Sequence, residues 1–505
     1  MSKLRCFTLL CTLLTLLPIS RTFASPLQDV VGDTASTAGL QARTVSGGSG
    51  AAYFNPALLT DAPAGMKVGF FLLNQHIGIR LDGRPGTQFA IPEGIENFGH
   101  AGGKRFDNYP IATSFLQFGR MKTSRNEAFL ARPRQGAGSG HDTFTYETVG
   151  IVVKLLDERI AVGFHGLIPN GEFTKMRAIF NDEREQYFSN SLHPELYADR
   201  MTALSMALGL GIKISDALSI GAGTTFALKA SVGAGAYVAD TGNLGQIQLD
   251  IDSAVNMGVS PHFGLSWKPT SRLHITASAH TPQRVELGST FRFLLANGIE
   301  QSSGLKFVLD YTPWQIGAGA AYDLVQGATE TLTVAGNLLY AAWSSYIDRH
   351  GDTPSPGYAW ADTISPTAGL RYRLKGWSAG FDLMYVPTPV PEQTGRTNYV
   401  DNNRVSAGIG SDYRFPVFGT HLTVGAQLQV HRLVPRHQTK LPTPTRPDGV
   451  NIAPERVKDE LPDDAQKSGD PVPGAQGLQT NNPGWPGFAS GGWMVGAAIY
   501  VSIPI

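Results

Sequence analysis

The chain is predicted to be an all-β transmembrane barrel of about 14 antiparallel strands, with an N-terminal hatch (plug) segment inside the lumen. Three observations carry that expectation. Long stretches alternate apolar with small or polar residues at a period of two; their connections alternate short and long; and the composition is poor in charge. Of 505 residues only 16% are charged, against about 25% in an ordinary soluble protein. Gly supplies 58 residues and the formal net charge is zero. A surface that meets lipid has little use for charge. No run of 18 apolar residues occurs after the first two dozen, which excludes an inner-membrane helical protein.

Residues 1–24 have the pattern of a secretory signal peptide. Lys3 and Arg5 form a basic start, Cys6–Ile19 an apolar stretch too short to span a bilayer, and Thr22-Phe23-Ala24 a small-x-small cleavage site before Ser25. Both cysteines, Cys6 and Cys11, lie within it, so the chain after Ala24 has no disulfide to rely on. Without Lys3, Arg5 and Arg21 the remaining chain carries a charge of about −3. Nothing in that balance points to nucleic acid.

Residues 25–64 are expected to form the hatch. Ser46–Gly50 is Gly-rich and nearly uncharged, and Ala51–Leu59 turns apolar around Asn55-Pro56-Ala57. Gly allows close backbone approach, and the residue before Pro is driven out of the helical region. Such a stretch reads as a compact irregular piece packed inside something larger.

Residues 65–505 supply the container. On one stretch Leu422, Val424, Ala426, Leu428 and Val430 interleave with His421, Thr423, Gly425, Gln427, Gln429 and His431. The same alternation runs through Thr202–Ile214 and Leu218–Ala230. It marks strands with two different environments, and a polar face made of Gly, Ser, Thr and Gln suits a hydrated lumen. Candidate strands fall at 66–82, 144–156, 158–178, 200–214, 217–236, 256–268, 273–291, 305–324, 329–346, 357–374, 376–386, 402–415, 419–433 and 488–505, an even count as in bacterial outer-membrane barrels. Short turns fall at Asp157, Ser215-Asp216, Pro269–Arg272, Leu324–Thr329, Lys375 and Pro416–Phe418. Long connections fall at 83–143, 179–199, 237–255, 292–304, 347–356, 387–401 and 434–487. Short periplasmic turns alternating with long extracellular loops are the rule for these barrels. The loop 434–487 holds ten of the 32 prolines and is expected to be extended or disordered; the loop 83–143 is expected to carry a short helix at 126–131. A barrel of this size leaks unless plugged.

Four places, in chain order, resemble the FadL family of outer-membrane fatty-acid and hydrocarbon transporters. They are the segment ending in Asn55-Pro56-Ala57, the Gly166-Leu167-Ile168-Pro169-Asn170-Gly171 interruption of strand three, Tyr311-Thr312-Pro313-Trp314-Gln315 with Leu338–Tyr346, and Thr388-Pro389-Val390-Pro391 with Asp401–Gly408. One departure is the C-terminus, Tyr500-Val501-Ser502-Ile503-Pro504-Ile505, where the family ends on an aromatic residue. The resemblance implies passive uptake of long-chain fatty acids or other hydrophobic compounds, a hatch at Asn55, Pro56 and Ala57 that shifts on binding, and a monomer in outer-membrane lipid.

Two sites can also be argued from the residues. Pro cannot donate to a ladder and Gly weakens one, so Pro169, Asn170 and Gly171 mark a local break in the wall, a candidate lateral gate. A carboxylate ligand needs a cation; Lys229, His165 and Lys213 share the inward phase, and Arg404 opens a strand. Lys229 is the first choice because it stands away from the short turn. Against these, Gly376-Trp377-Ser378-Ala379-Gly380 matches a nucleophile-elbow pattern but lacks its strand–turn–helix context. His431 and His437 are expected at a loop or rim, and no metal or other cofactor is expected. A porin for polar solutes, a surface adhesin and an outer-membrane lipid hydrolase are the alternatives. The expected sequence of events is capture by the loops, hatch movement, and sideways exit through the kinked third strand.

Overall fold

The computed structural model describes residues 27–81, 137–171, 193–194, 196–197, 200–201, 204–238, 247–295, 300–348, 351, 353–354, 359–393, 399–417, 419–439 and 487–505. The expected signal peptide and the expected helix at 126–131 lie outside these residues.

The strands in chain order are β1 (Gly65–Leu81), β2 (Ala137–Leu155), β3 (Ile160–Pro169), β4 (His193–Pro194), β5 (Ser205–Lys213), β6 (Leu218–Val238), β7 (Ile247–Trp267), β8 (Leu273–His280), β9 (Gln283–Leu295), β10 (Glu300–Thr312), β11 (Gln315–Gln326), β12 (Glu330–Ala341), β13 (Thr363–Leu374), β14 (Trp377–Val386), β15 (Tyr399–Val400), β16 (Arg404–Val417), β17 (Thr420–Thr439) and β18 (Gly487–Ile503). Fourteen of them close a ring, each antiparallel to the next: β1, β2, β3, β5, β6, β7, β8, β11, β12, β13, β14, β16, β17 and β18, with β18 returning to β1. Closure leaves no edge facing lipid, which an unsatisfied backbone could not tolerate. Even without a terminal aromatic, β18 pairs as far as Ile503 with Met66 of β1.

Two expected strands are interrupted. The stretch 273–291 becomes β8 and β9, broken at Thr281-Pro282, and 305–324 becomes β10 and β11, broken at Pro313-Trp314. Proline has no N–H for a ladder bond, so the chain leaves the wall at both points. The β9–β10 hairpin then pairs in parallel with Ser231–Val238 of β6, beyond Ala227, the last residue that β5 pairs. The connections expected at 237–255 and 292–304 are accordingly shorter, since β6, β7, β9 and β10 run into them.

Burial is inverted relative to a soluble protein. Gln427, Gln429 and His431 on β17 are buried, while Val424, Leu428 and Val430 between them are exposed; Ile499 on β18 reaches 63% exposure. Exposed aromatics bracket the apolar wall. Trp377 and Tyr385 on β14 are eight residues apart, as are Trp314 and Tyr322 at β11. With a rise of about 3.4 Å and a tilt of 35–45°, the two girdles are about 20 Å apart along the barrel axis. This is a membrane-spanning β-barrel. The strands above the upper girdle stand clear of the hydrocarbon. Among the described residues no helix is long and apolar enough to cross a membrane.

Candidate functional site

Residues 27–62 form short helical pieces: α1 (Leu27–Val31), α2 (Ala51–Phe54), and 3-10 turns at Gly39–Gln41 and Pro56–Thr60. Their side chains are almost all buried. Asn55 explains the local break. Its backbone is extended, φ −164° and ψ 97°, as the position before Pro56 demands. It ends α2, and its side chain accepts from Ala57 N to cap the next turn. The same amide donates to Arg43 O, to Leu265 O on β7 and to Ala277 O on β8.

Bonds to the wall run all round the ring. Gln28 donates to Ser205 on β5 (2.8 Å), Gln429 and Gln427 on β17 donate to Val31 O (2.6 Å) and Asp33 O (2.9 Å), and Lys67 on β1 donates to Ala35 O (2.8 Å). Arg371 on β13 donates to the Ala38 carbonyl and forms an ion pair with Asp382 on β14 (2.6 Å), whose other oxygen accepts from Gln41 N. Thr60 donates to Ser219 on β6 (2.9 Å), and Lys154 on β2 donates to Leu59 O and Thr60 O. Two wall histidines complete the set. His262 Nε2 lies 2.6 Å from Ala52 O and His280 Nε2 3.4 Å from Phe54 O, their rings stacked at 4.9 Å with Tyr53 edge-on to His280. Partners on opposite sides of the ring place this segment in the lumen. Glycines make room for it. A Cβ on Gly221 of β6 would stand 2.3 Å from Ala57 N, and one on Gly264 of β7 would stand 2.0 Å from Asn55 Oδ1.

Between the segment and the β11–β16 wall lies a cavity of about 90 Å³. Val30, Leu40, Phe54, Tyr197, Trp343 and Met384 give it an apolar lining. Two guanidinium groups reach it, and they differ. Arg43 is committed: it donates to Asp29 (2.7 Å) and to Gln315 (2.7 Å), and lies over the Phe54 ring. Arg404 is only 3% exposed, and its Nε and Nη1 have no hydrogen-bond partner among the described residues. Its one ring contact is with Tyr197, 5.8 Å from the centroid. A buried cation with idle donors can receive an anion.

The other residues singled out from the sequence fall elsewhere. His165 is buried on β3 with Nδ1 unpartnered among the described residues, but does not line this cavity. Lys229 stands on β6 opposite Asn256 of β7; its side chain lies outside the described residues. Lys213 is drawn to the short turn by Asp216 (3.0 Å). His431 is not at a rim. It is fully buried on the inner face of β17, bonded to Ser406 (2.8 Å) and Gln429 (3.2 Å), because β17 extends to Thr439 and carries that position well inside the wall. Ser378 lies within β14, and among the described residues no helix follows it. Among the described residues no cluster of three or more metal-ligating side chains occurs.

At the third strand, β3 stays paired with β2 as far as Pro169 opposite Tyr146, and Asn170 N still donates to Thr145 O. On its other side the pairing stops earlier, at Leu167 opposite Ser205 of β5. Among the described residues Ile168–Gly171 is therefore bonded on the β2 side alone, and Gly171 takes φ +135°.

Above the upper girdle, Asp401 is 2% exposed. Thr388 donates to it (2.5 Å), while Arg436 donates to Val390 O and to the Asp401 carbonyl, and Arg404 lies nearby. Burial pushes its carboxyl up to about 7, outweighing those donors. The folded state thus keeps a proton that the unfolded chain loses near pH 4. Stability in this region should fall as pH rises from about 4 to 7, by on the order of a few kcal/mol, and level off above. Proteolysis of residues 387–403 at pH 5 and pH 8 reads this; an Asp401→Asn chain should show equal rates, and a persistent difference would remove Asp401 as its cause.

No family model matches the chain, and no curated protein matches it. Among solved structures it is similar to a FadL homologue of Pseudomonas aeruginosa, at 14% identity over 96% of this chain and 98% of that one, TM-score 0.47. It is also similar to the P. putida toluene transporter TodX, at 11% over 94% and 99%, TM-score 0.47. A third is the CymD monoaromatic hydrocarbon channel, at 13% over 96% and 98%, TM-score 0.42.

Proposed function

We propose that the protein is an outer-membrane transporter for passive uptake of hydrophobic compounds, long-chain fatty acids among them. The observation that carries this is Arg404: a buried guanidinium with two nitrogens that have no partner among the described residues, in an apolar cavity beside the luminal segment. An anionic head fits the cation, and each methylene buried behind it adds about 0.8 kcal/mol. Ligand sites for drug-sized molecules enclose roughly 300–1,000 Å³. The cavity is smaller, so a long chain enters only as the segment that walls it, through residues 29–43 and Phe54, gives way. A porin is less favoured because residues 27–62 fill the lumen. Exit follows the one-sided edge at Pro169, Asn170 and Gly171, from which an apolar molecule passes into lipid.

Uptake of labelled oleate by a deletion strain carrying the gene on a plasmid tests the proposal; no gain over the empty strain overturns it. Restoring a continuous strand with Pro169→Val and Gly171→Val should cut that uptake at least fivefold without altering ligand binding. Undiminished uptake by a folded double variant rules out the lateral exit.

A further inference from the structure

We propose that the cavity is built for an oxygenated amphiphile, a hydrophobic carboxylate with a hydroxyl partway along its chain, with Arg404 taking the carboxylate and Asn337 the hydroxyl. The inference rests on the transport function proposed above and adds the ligand class. Asn337, on β12, is 7% exposed and lines the same cavity as Arg404, and its Oδ1 has no hydrogen-bond partner among the described residues. A buried amide terminus without a partner is expensive. Thr367, paired with Asn337 across β12 and β13, lines the cavity as well. A hydroxyl both donates and accepts, so it satisfies either end of an amide and a threonine beside it.

The strand register sets the spacing. Asn337 pairs with Thr367, Thr367 with Met384, and Met384 with Ser406, two residues along β16 from Arg404. Three strand spacings of about 4.8 Å and two residues along the strand put the backbones of Asn337 and Arg404 about 16 Å apart along the wall. A plain alkyl chain would leave Asn337 unanswered, and a site with a waiting hydrogen-bond group discriminates against the analogue that lacks the match.

The test uses the full chain in detergent micelles, titrated with ricinoleate and with oleate, which differ by one hydroxyl; tryptophan fluorescence reports occupancy, since Trp343 lines the cavity. Ricinoleate should bind about tenfold more tightly. Asn337→Leu should bring the two acids within twofold. Thr367→Val, a near-isosteric change, should narrow the gap by about threefold and serves if the first variant does not fold. Equal binding of the two acids to the unaltered chain, or a full preference surviving in a folded variant, overturns the ligand class and leaves the transport proposal standing. Binding of neither acid overturns both.

Discussion

Gly221→Val is expected to expel the luminal segment from its seat while the barrel stays closed. The new Cβ would stand 2.3 Å from Ala57 N and 2.4 Å from Pro56 C, and these are backbone atoms that cannot rotate aside. Overpacking of a filled interior costs about 1–3 kcal/mol, sometimes more. Here the relief is local, because residues 51–60 can move and β6, bonded to β5 and β7, cannot. Shifting them also breaks the Asn55 bonds to Leu265 O and Ala277 O and the His262 bond to Ala52 O. Net hydrogen-bond values of about 1 kcal/mol each make recovery of the original seat unfavourable. Planar-bilayer conductance should rise at least tenfold, and hydrogen exchange over 51–60 should lose its protection. The retained barrel is checked by its heat-modifiable migration on gels. Unchanged conductance together with unchanged protection would mean that these residues do not close the lumen.

Arg404→Leu is expected to weaken oleate binding by about 30–100-fold while leaving a neutral alkane such as octane unaffected. Hydrogen bonds to a charged group are worth about 1.5–3 kcal/mol, and each 1.4 kcal/mol is tenfold in affinity. Thermal stability should hold or rise, because the lost side chain forms no ion pair among the described residues and its burial is a penalty. Arg43→Leu should do the reverse: it strips partners from Asp29 and Gln315 and destabilises the segment. Equal loss of oleate and octane binding by Arg404→Leu would show that the arginine shapes the cavity without reading charge.

The barrel was legible because lipid on one side and a lumen on the other impose a period of two over every strand, as β17 illustrates. Arg404 could be nominated as a cation at a strand start. Its unpartnered state could not, since that depends on what faces it from β12–β14 and the luminal segment. Lys229 meets the same limit: inward phase is shared by many residues, and phase alone does not say which of them meets a cavity. His262 and His280 carried a usable signal, both standing in the small, polar phase of their strands, but nothing local ties them to the Ala52 and Phe54 carbonyls over 210 and 226 residues. The breaks at Pro282 and Pro313 were missed, because the strand-like pattern runs on through both prolines. Where the chain goes after leaving the wall is set by the unpaired upper edge of β6, a tertiary fact.

The luminal segment is the earliest part of the barrel protein to be made, yet Gln427 and Gln429 grip it across 394 and 398 residues. Its last anchors are therefore missing until nearly the whole polypeptide has been delivered. Contacts so distant form late, and once β18 zips to β1 the cylinder has no side through which a bulky peptide could be threaded. The leading residues must wait, unstructured, within the curling sheet and be caught as it shuts. What is synthesised first is ordered last, and a chain cut short before β17 should yield a loose N-terminus however sound its remaining strands.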